Sequence, residues 1–322
     1  MYFKNIKHSA ALGIYFLLML ISVDANAAVH VVINSSDDGP GSLRNAINEA
    51  NDGDTITFGA NLAGETILLT SGQFLISNDL IIDGSSLDTQ VTVSGNNASR
   101  IFFVEIGSSL EINHLTLIDG LSAPETPTDP GGGAIFSDNL STLIVKNSTF
   151  MNNIASLGTQ GGAIDLDRAN VFISGSLFSG NVALSGNSSA GGINSAFSTL
   201  RLENSTFSAN QGSALSINQG SFNSLNNTIV DTDGPAANIV APGSYHFSNT
   251  ILARSESAND LTLSVGAELS TNVNNLCESC PGDERFLIEG LPPLIAQLGD
   301  NCLLYTSPSP RDLSTSRMPS SA

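Results

Sequence analysis

The chain has no tryptophan among its 322 residues and almost no stretch with the spacing of an amphipathic helix. It does have 30 glycines, and this balance is typical of a turn-rich β protein. Basic residues are also scarce, because 11 Lys and Arg stand against 30 Asp and Glu and leave a formal charge of −19. Such a surface repels phosphate backbones, so we expect no nucleic-acid partner. The acidity suits a solvated extracellular surface and weak cation binding.

Cysteine is rare as well, with three residues in the chain. Cys277 and Cys280 form a Cys-Glu-Ser-Cys loop just before a Pro-Gly turn. In an exported protein a disulfide is the default interpretation of such a loop. A zinc site would need a second ligand pair and a redox motif would need a βαβ setting, and the sequence offers neither. Cys302 falls in a separate C-terminal tail.

The N-terminus has the organisation of an export signal. Lys4 and Lys7 form a basic region, apolar residues follow over 10–23, and Ala25-Asn26-Ala27 supplies small residues for cleavage. We therefore expect a signal peptide over residues 1–27. The alternative is an uncleaved membrane anchor, but the apolar run is shorter than the roughly 20 residues that a spanning helix needs.

The C-terminus departs from every upstream pattern. Residues 302–322 contain Ser-Pro-Ser-Pro-Arg-Asp and end in Met-Pro-Ser-Ser-Ala. This segment resembles translated sequencing-adapter sequence at the end of a truncated reading frame, which implies a non-native tail. A native disordered Ser/Pro tail is the alternative. Both interpretations keep residues 302–322 outside the folded body.

A short strand pattern recurs between residues 110 and 251. Leu-Ile-Val-Lys-Asn-Ser-Thr-Phe ends at Phe150, and Leu-Arg-Leu-Glu-Asn-Ser-Thr-Phe ends at Phe207. Successive copies end 33, 28, 29, 22 and 22 residues apart. A period of about 20 to 30 residues built from strand residues predicts a solenoid. The last residues of the six copies form one predicted interior stack: Leu117, Phe150, Phe178, Phe207, Ile229 and Ile251.

Strand alternation sorts the residues inside each copy, because neighbouring side chains of a strand point to opposite faces. Stacked turns would place aliphatic side chains about 4.8 Å apart along the inside and charged side chains outside. The predicted inward pairs are Leu110/Ile112, Leu143/Val145, Val171/Ile173 and Leu200/Leu202. The predicted outward residues are Glu111, Lys146, Ser174, Arg201 and Glu203.

Two further features recur in phase with the strands. An asparagine follows the stacked phenylalanine by three residues, where it would adopt left-handed backbone angles and satisfy turn amides. A glycine pair then opens the next face, where a sharp turn excludes β-branched residues. The asparagines are Asn153, Asn181 and Asn210, and the pairs are Gly132-Gly133, Gly161-Gly162 and Gly191-Gly192.

One amphipathic helix precedes the repeats. Ser42 has the chemistry of an N-cap, apolar residues recur on one face of residues 43–51, and Gly53 ends the pattern. The open end of a solenoid exposes backbone and apolar side chains, so we expect this helix to cap it. The predicted divisions are a signal peptide (1–27), a strand and capping helix (28–53), the parallel β-helix (54–276), the start of a truncated C-terminal segment (277–301) and the non-native tail (302–322).

These motifs resemble known families. Gly-Gly-Ala-Ile alternating with Phe-x-x-Asn is similar to the repeats of bacterial polymorphic outer-membrane proteins. Residues 42–58 resemble the N-terminal motif of exported β-helix proteins with interchangeable C-terminal anchors, although Gly41 stands where those proteins often have cysteine. Residues 291–301 resemble the start of their closing segment. The resemblance implies an all-β, right-handed parallel β-helix outside the cell or at its surface, attached to a membrane only through an anchor beyond residue 301.

Acidic residues are the best candidates for chemistry, since β-helix enzymes of the pectate-lyase type use clustered carboxylates in a lateral groove. Asp165 and Asp167 alternate along one strand, about 6.5 to 7 Å apart and facing outward, and Asp138 aligns with Asp167 one turn earlier. The three would form a patch for calcium or for acid–base catalysis. Outward strand positions in an acidic protein are ordinarily charged, so we favour a solvated surface. We assign no catalytic or cofactor-binding residue, and calcium is the one candidate ion.

Histidine suggests no further site. His114 occupies the repeat position held elsewhere by asparagine or glycine, which predicts a structural role. His246 is isolated and His30 lies near the predicted mature N-terminus. The sequence has no Ser/His/Asp spacing and no metal-ligand cluster.

Three functions remain open. The first is an exported, non-catalytic protein that binds an extracellular glycan or a protein of a host or neighbouring cell, as an adhesin does. The second is a polysaccharide lyase or glycoside hydrolase that uses Asp138, Asp165 and Asp167. The third is a structural spacer for a further module. We favour the first, because inward stacks supply the stability and leave outward positions free to vary for recognition.

Overall fold

The computed structural model describes residues 27–122, 130–156, 159–185, 189–257 and 259–280. Over these residues the protein is nearly all β, and its parallel sheets stack as a solenoid of about nine turns. The predicted all-β parallel β-helix is therefore confirmed. The signal peptide up to Asn26, the tail 302–322 and all but the first four residues of the segment 277–301 lie outside the described residues.

The described chain forms one α-helix, one 3-10 turn and a long series of short strands. The helix is α1 (Leu43–Glu49) and the 3-10 turn is Ala60–Leu62. The strands are β1 (Val29–Val32), β2 (Thr55–Phe58), β3 (Thr66–Leu68), β4 (Phe74–Ile76), β5 (Leu80–Asp83), β6 (Val91–Ser94), β7 (Phe102–Val104), β8 (Ser109–Asn113), β9 (Leu115–Ile118), β10 (Leu121–Ser122), β11 (Ile135–Ser137), β12 (Thr142–Lys146), β13 (Thr149–Met151), β14 (Ile154–Ala155), β15 (Ile164–Asp167), β16 (Asn170–Ser174), β17 (Leu177–Ser179), β18 (Val182–Ala183), β19 (Ala190–Ala196), β20 (Thr199–Glu203), β21 (Thr206–Ser208), β22 (Ser213–Asn218), β23 (Ser221–Leu225), β24 (Thr228–Val230), β25 (Ala237–Ile239), β26 (Ser244–Ser248), β27 (Ile251–Ala253), β28 (Leu261–Leu263), β29 (Leu269–Val273) and β30 (Leu276–Cys277).

Each full turn contributes one strand to each of three long parallel sheets. Sheet A has the order β1-β2-β5-β8-β12-β16-β20-β23-β26-β29. Sheet B has the order β3-β6-β9-β13-β17-β21-β24-β27-β30, and sheet C has the order β4-β7-β11-β15-β19-β22-β25-β28. A short sheet D joins β10, β14 and β18. Every strand therefore pairs with strands one turn away, and the three long sheets enclose a single core.

In-register columns of apolar side chains fill this core. All eight predicted inward residues of sheet A are at most 5% exposed, which confirms the alternation inferred from the sequence. In sheet B, Phe150, Phe178 and Phe207 pair with one another in register. Their rings are nearly parallel, with centroids 4.6 and 4.4 Å apart. The central part of the predicted stack is therefore confirmed.

The last member of the stack differs from the prediction. Ile229 pairs with Leu252, and Ile251 pairs instead with Thr228. Leu252 is fully buried, whereas Ile251 lies on the outward side of β27 and is half-buried. The repeat is one residue longer here than the two similar Asn-Thr-Ile triplets suggest, so the predicted placement of Ile251 in the core is wrong.

The asparagines that follow the phenylalanines lie inside the solenoid. Asn153, Asn181 and Asn210 are fully buried. The Nδ2 atom of Asn153 donates to Oδ1 of Asn181, and that of Asn181 donates to Oδ1 of Asn210, both at 3.0 Å. These side chains point into the interior. The residue that makes each corner is the one before the asparagine in the chain. The left-handed angle predicted for them belongs to Asn152, Gly180 and Ala209.

The sharp turn predicted for the glycine pairs is present at Gly132 and Gly161, whereas Gly191 and Gly192 lie inside β19 and make no left-handed turn. Gly161 has a φ of +72°, in the left-handed region that favours glycine. A Cβ on Gly162 would collide with the carbonyl oxygen of Gly191 in the next turn. The pair therefore lets successive turns approach each other closely at the start of sheet C.

The helix α1 covers the N-terminal end of the solenoid. Ser42 accepts a hydrogen bond from the backbone N–H of Asn45, as expected of an N-cap. The helix ends at Glu49, earlier than the predicted Asn51, and Ala50 is its C-cap. The buried residues of the helix are Leu43, Ala46 and Ile47. They pack into the apolar core, which also includes Val32 and Ile56.

A buried ion pair fastens α1 to the first complete turn. Arg44 contacts Asp37 at 2.7 Å, donates to the backbone carbonyl oxygens of the turn before β4, and lies 4.6 Å from the ring centre of Phe74. The Asp37 carboxylate also accepts the backbone N–H groups of Thr70 and Ser71. Burial raises the pKa of Asp37, but these hydrogen bonds outweigh it and lower the pKa to about 2. The sequence patterns do not indicate this network.

At the other end of the described chain, Cys277 and Cys280 are joined by a disulfide, with their Cα atoms 5.9 Å apart. Both cysteines are at most 2% exposed. The default interpretation of the Cys-Glu-Ser-Cys loop is therefore confirmed.

Truncating the central ring of the phenylalanine column should be costly. We expect Phe178→Ala to lower the free energy of unfolding by about 3 to 5 kcal/mol, because it opens a cavity between two stacked rings. Denaturant unfolding followed by circular dichroism measures the change. The control is Phe197→Ala, since Phe197 is 45% exposed, and this variant should cost about 1 kcal/mol or less. Equal losses for the two variants would contradict a stack that stabilises the core.

Candidate functional site

The outward surfaces of sheets A, B and C differ in chemistry, and they are named face A, face B and face C. Face A carries both signs of charge. Lys146 contacts Glu111 at 2.7 Å, and Arg201 pairs with Glu203 and lies 5.6 Å from the ring centre of Phe172. The two partners of each ion pair neutralise each other's charge. Face A therefore has the mixture of positive and negative side chains that is usual for a solvated sheet.

Face C carries the acidic patch predicted from the sequence. Asp165 and Asp167 both lie on β15, and Asp138 follows the neighbouring strand β11. The register of β11 on β15 places Asp138 beside Asp167. Glu105 extends this column by one more turn, since β7 pairs in register with β11. Sequence reasoning missed Glu105, because that part of the chain lacks the repeat motif that aligned the others.

Asp165 is not the solvated carboxylate that its outward position predicts. It is 9% exposed, accepts the backbone N–H of Gly131 at 2.8 Å, and accepts the side-chain amide of Asn194 at 2.7 Å. Its predicted exposure is therefore wrong, because the turn at Gly131 folds over it. Burial raises the pKa of Asp165 to about 6, although both hydrogen bonds act in the opposite direction.

Arg100 completes the network that covers Asp165. It is 9% exposed, and its guanidinium donates to the carbonyl oxygens of Pro130, Gly131 and Gly132. The same group lies 5.5 and 5.7 Å from the ring centres of Phe103 and Phe136. Arg100 thus holds the turn whose N–H group binds Asp165, and the carboxylate acts in the first place as an anchor for that turn.

The other two carboxylates of the patch are not arranged as a catalytic pair with Asp165. Asp167 is bound through both oxygens by Arg168, at 2.7 and 2.9 Å. Asp138 accepts the backbone N–H of the next residue, Asn139. Across the described ranges, no group of three or more His, Cys, Asp or Glu side chains is positioned to hold a metal ion. The patch therefore offers one protonatable, buried carboxyl group and no cation cage.

The histidines lie apart from this patch. His114 has a φ of +59° and shares its left-handed position with Asn147, Gly175, Asn204 and Asn226, as the repeat predicts. His246 contacts Ser244 on face A at 3.0 Å. His30 pairs with Asp54 at 3.0 Å at the N-terminal end.

Face B differs from the other two because it carries no charge. The nine strands of sheet B contain no Asp, Glu, Lys, Arg or His. Hydroxyl and aliphatic side chains alternate with the core residues and face outward. The outward column at the first position is Thr66, Thr92, Thr116, Thr149, Leu177, Thr206, Thr228 and Ile251, and the second column is Leu68, Ser94, Ile118, Met151, Ser179, Ser208, Val230 and Ala253.

The repeated Asn-Ser-Thr triplets explain how this face arises. In residues 147–149 the asparagine makes the left-handed corner, with a φ of +48°. The serine is buried in the interior, and its counterparts one turn apart are linked by hydrogen bonds from backbone N–H to hydroxyl. The threonine then begins the outward column of sheet B. The triplet therefore positions the hydroxyl groups of face B, although the lack of charge on that face forms no motif in the sequence.

Parts of face B are shielded. The Gln90 side chain accepts from the Thr116 hydroxyl at 2.6 Å and donates to the Asn147 carbonyl at 2.8 Å. Thr149 is 9% exposed, and Val230 is fully buried. The more open stretch runs over β17, β21 and the start of β24, where Ser179 and Ser208 are accessible.

The chain matches no family model and no curated protein. Within the residues that the structure describes, no helix has the length and apolar composition needed to span a bilayer. The structure thus defines the class of protein, a parallel β-solenoid with three chemically distinct faces.

The raised pKa of Asp165 should be visible in the pH dependence of stability. The folded state holds this proton more tightly than the unfolded chain, so the contribution is present below the unfolded pKa of 3.8 and is lost as the pH rises through about 6. We expect the free energy of unfolding to fall by about 3 kcal/mol across this interval. Asp165→Asn, which cannot ionise, should remove the fall.

The matched control is Asp167→Asn, since Asp167 lies two residues away with a side chain that is 34% exposed. This variant should keep the wild-type pH profile in denaturant unfolding between pH 4 and pH 8. A flat wild-type profile, or an unchanged profile in Asp165→Asn, would show that Asp165 ionises normally in the folded protein.

Proposed function

We propose that this chain is an exported β-helix protein that binds an uncharged extracellular ligand on face B, with a glycan or a cell-surface protein as its partner. The observation that carries the proposal is the segregation of charge. A chain with a formal charge of −19 has no Asp, Glu, Lys, Arg or His on the nine described strands of sheet B, and its nearest charges, such as the Arg254–Asp231 pair, stand at the corners that follow them. Electrostatic complementarity sets which partners approach a surface, so this side is suited to a neutral partner.

The geometry of face B suits a repetitive ligand. Parallel in-register strands place equivalent side chains about 4.8 Å apart along the rod. The hydroxyl groups of Ser179, Thr206 and Ser208 can donate and accept hydrogen bonds, and the intervening methyl groups bury apolar surface. The core beneath them is the stacked phenylalanine column, which keeps the array rigid and limits the entropy lost on binding.

Export and display are the second part of the proposal. The N-terminal signal pattern and the resemblance to polymorphic outer-membrane repeats and to anchored β-helix proteins support a location at the cell surface, in the outer membrane or outside the cell. In this proposal the protein needs no cofactor and no nucleic acid, and it meets a membrane only through a C-terminal anchor.

Binding can be tested on arrays of neutral and acidic glycans with the fluorescently labelled protein. We expect retention on neutral glycans and none on acidic ones. Thr206→Glu should weaken retention about tenfold or more, because binding would desolvate an unpaired carboxylate on face B. The control is Thr199→Glu, which places the same charge on face A in the same turn and should bind like the wild type.

Two outcomes would contradict this assignment. Equal loss of binding in both variants would mean that added charge, and not face B, decides recognition. If the protein were retained neither on any glycan nor on intact cells, a structural spacer would be favoured over a binding protein.

The alternative is a polysaccharide lyase or glycoside hydrolase on face C. The one observation in its favour is the raised pKa of Asp165, since a general acid needs a carboxyl group that is protonated near neutral pH. The hydrogen bonds of Asp165 to Gly131 and Asn194 weigh against it. We expect no release of reducing ends or unsaturated products from neutral or acidic polysaccharides. Turnover that Asp165→Asn abolishes, while folding is preserved, would establish the enzyme instead.

A further inference from the structure

The N-terminal end of the solenoid contains a carboxylate whose partners surround the start of the first strand. The side chain of Asp54 is 4% exposed. Its Oδ1 atom accepts the N–H of Ala28 at 2.7 Å, and its Oδ2 atom accepts the N–H of Asn51 at 2.8 Å and contacts Nε2 of His30 at 3.0 Å. One buried carboxylate thus joins the chain before β1, the segment that follows α1, and the turn into β2.

Ala28 is held on both sides. Its nitrogen is bound by Asp54, and its carbonyl oxygen accepts the backbone N–H of Thr55 at 2.8 Å. Residues 29–32 then pair in register with residues 55–58. Since β1 is the outermost strand of sheet A and has β2 as its one partner there, Ala28 is the point at which the chain enters the solenoid.

Ala28 is also the residue that follows the predicted cleavage motif Ala25-Asn26-Ala27. Hydrolysis of the Ala27–Ala28 peptide bond by an export peptidase uses one water molecule. The hydroxyl of the water adds to the Ala27 carbonyl carbon to give a carboxylate on the departing peptide, and the nitrogen of Ala28 becomes a free amine. That amine takes up a proton near neutral pH, since α-amino groups have a pKa of about 7.7 to 8.0.

We propose that Asp54 is the receptor for the α-ammonium group that processing creates at Ala28, and that this pair locks β1 onto β2. The proposal rests on the proposed export of the protein. The hydrogen bond seen at 2.7 Å becomes a charge-assisted one, which is shorter and stronger than its neutral counterpart. Processing therefore strengthens the cap of the solenoid after export.

The other titratable groups near this pair are few. His30 on β1 and Glu49 on α1 line one small pocket at this end of the solenoid. Asp52 is exposed in the turn between α1 and β2. The hydrogen bonds from Asn51, His30 and Ala28 lower the pKa of Asp54 to about 2, so this carboxylate stays charged through the range in which an α-amino group titrates.

The test compares two forms of the protein with the same Asp54. One begins at Ala28, and the other retains Ala27 with an acetylated amino group. An NMR titration of the Ala28 nitrogen should place the α-amino pKa of the first form at least one unit above the ordinary value. Because the folded pKa is raised, the first form should melt at a higher temperature than the second at pH 7.5, and the difference should vanish as the pH passes the raised pKa.

Two variants sharpen the result. Asp54→Asn in the form that begins at Ala28 should return the α-amino pKa to its ordinary value, whereas Asp52→Asn, two residues away, should leave it raised. An ordinary pKa together with equal melting temperatures of the two unmutated forms would overturn the proposal. Amino-terminal sequencing of the exported protein must also give Ala28, and any other first residue would overturn it even if face B binds its ligand. Failure of the glycan arrays alone leaves the pairing intact.

Discussion

The interaction on which this protein depends is the in-register contact of each turn with the next. The strands are two to seven residues long, too short to be stable alone, and each acquires its hydrogen bonds and its apolar neighbours from adjacent turns. Parallel rings of Phe150, Phe178 and Phe207 and the linked amides of Asn153, Asn181 and Asn210 are two results of this single constraint. A slip of one residue would move every inward side chain to the surface.

The same constraint separates stability from recognition. Inward positions are determined by their neighbours above and below, while outward positions need only a residue compatible with a strand. The three faces can therefore differ, with paired charges on face A, carboxylates on face C and no ionisable group on face B. Asp165 marks the limit of this separation, because a turn from the adjoining corner covers it and converts an outward position into a buried one.

Most of the fold was predictable because the repeat reports the period, the alternation and the corners directly. The failures have physical causes. Ile251 was misplaced because one turn is a residue longer than its neighbour while keeping a similar triplet. The burial of Asp165 and the network of Arg44 with Asp37 depend on contacts between segments that lie about 30 residues apart in sequence, and no local pattern encodes them. Face B was missed because an absence of charge, unlike a cluster of ligands, does not form a motif.

The disulfide joins two residues that are three positions apart, so it closes a single small loop and ties no turn to another. Within the described residues, a pulling force on the chain would consequently be carried by noncovalent contacts between turns, the strand ladders and the stacked side chains, and the rod would unwind turn by turn from one end. Stepwise unwinding absorbs mechanical work over a long extension. A solenoid built in this way yields gradually under load and retains the turns that have not yet unwound.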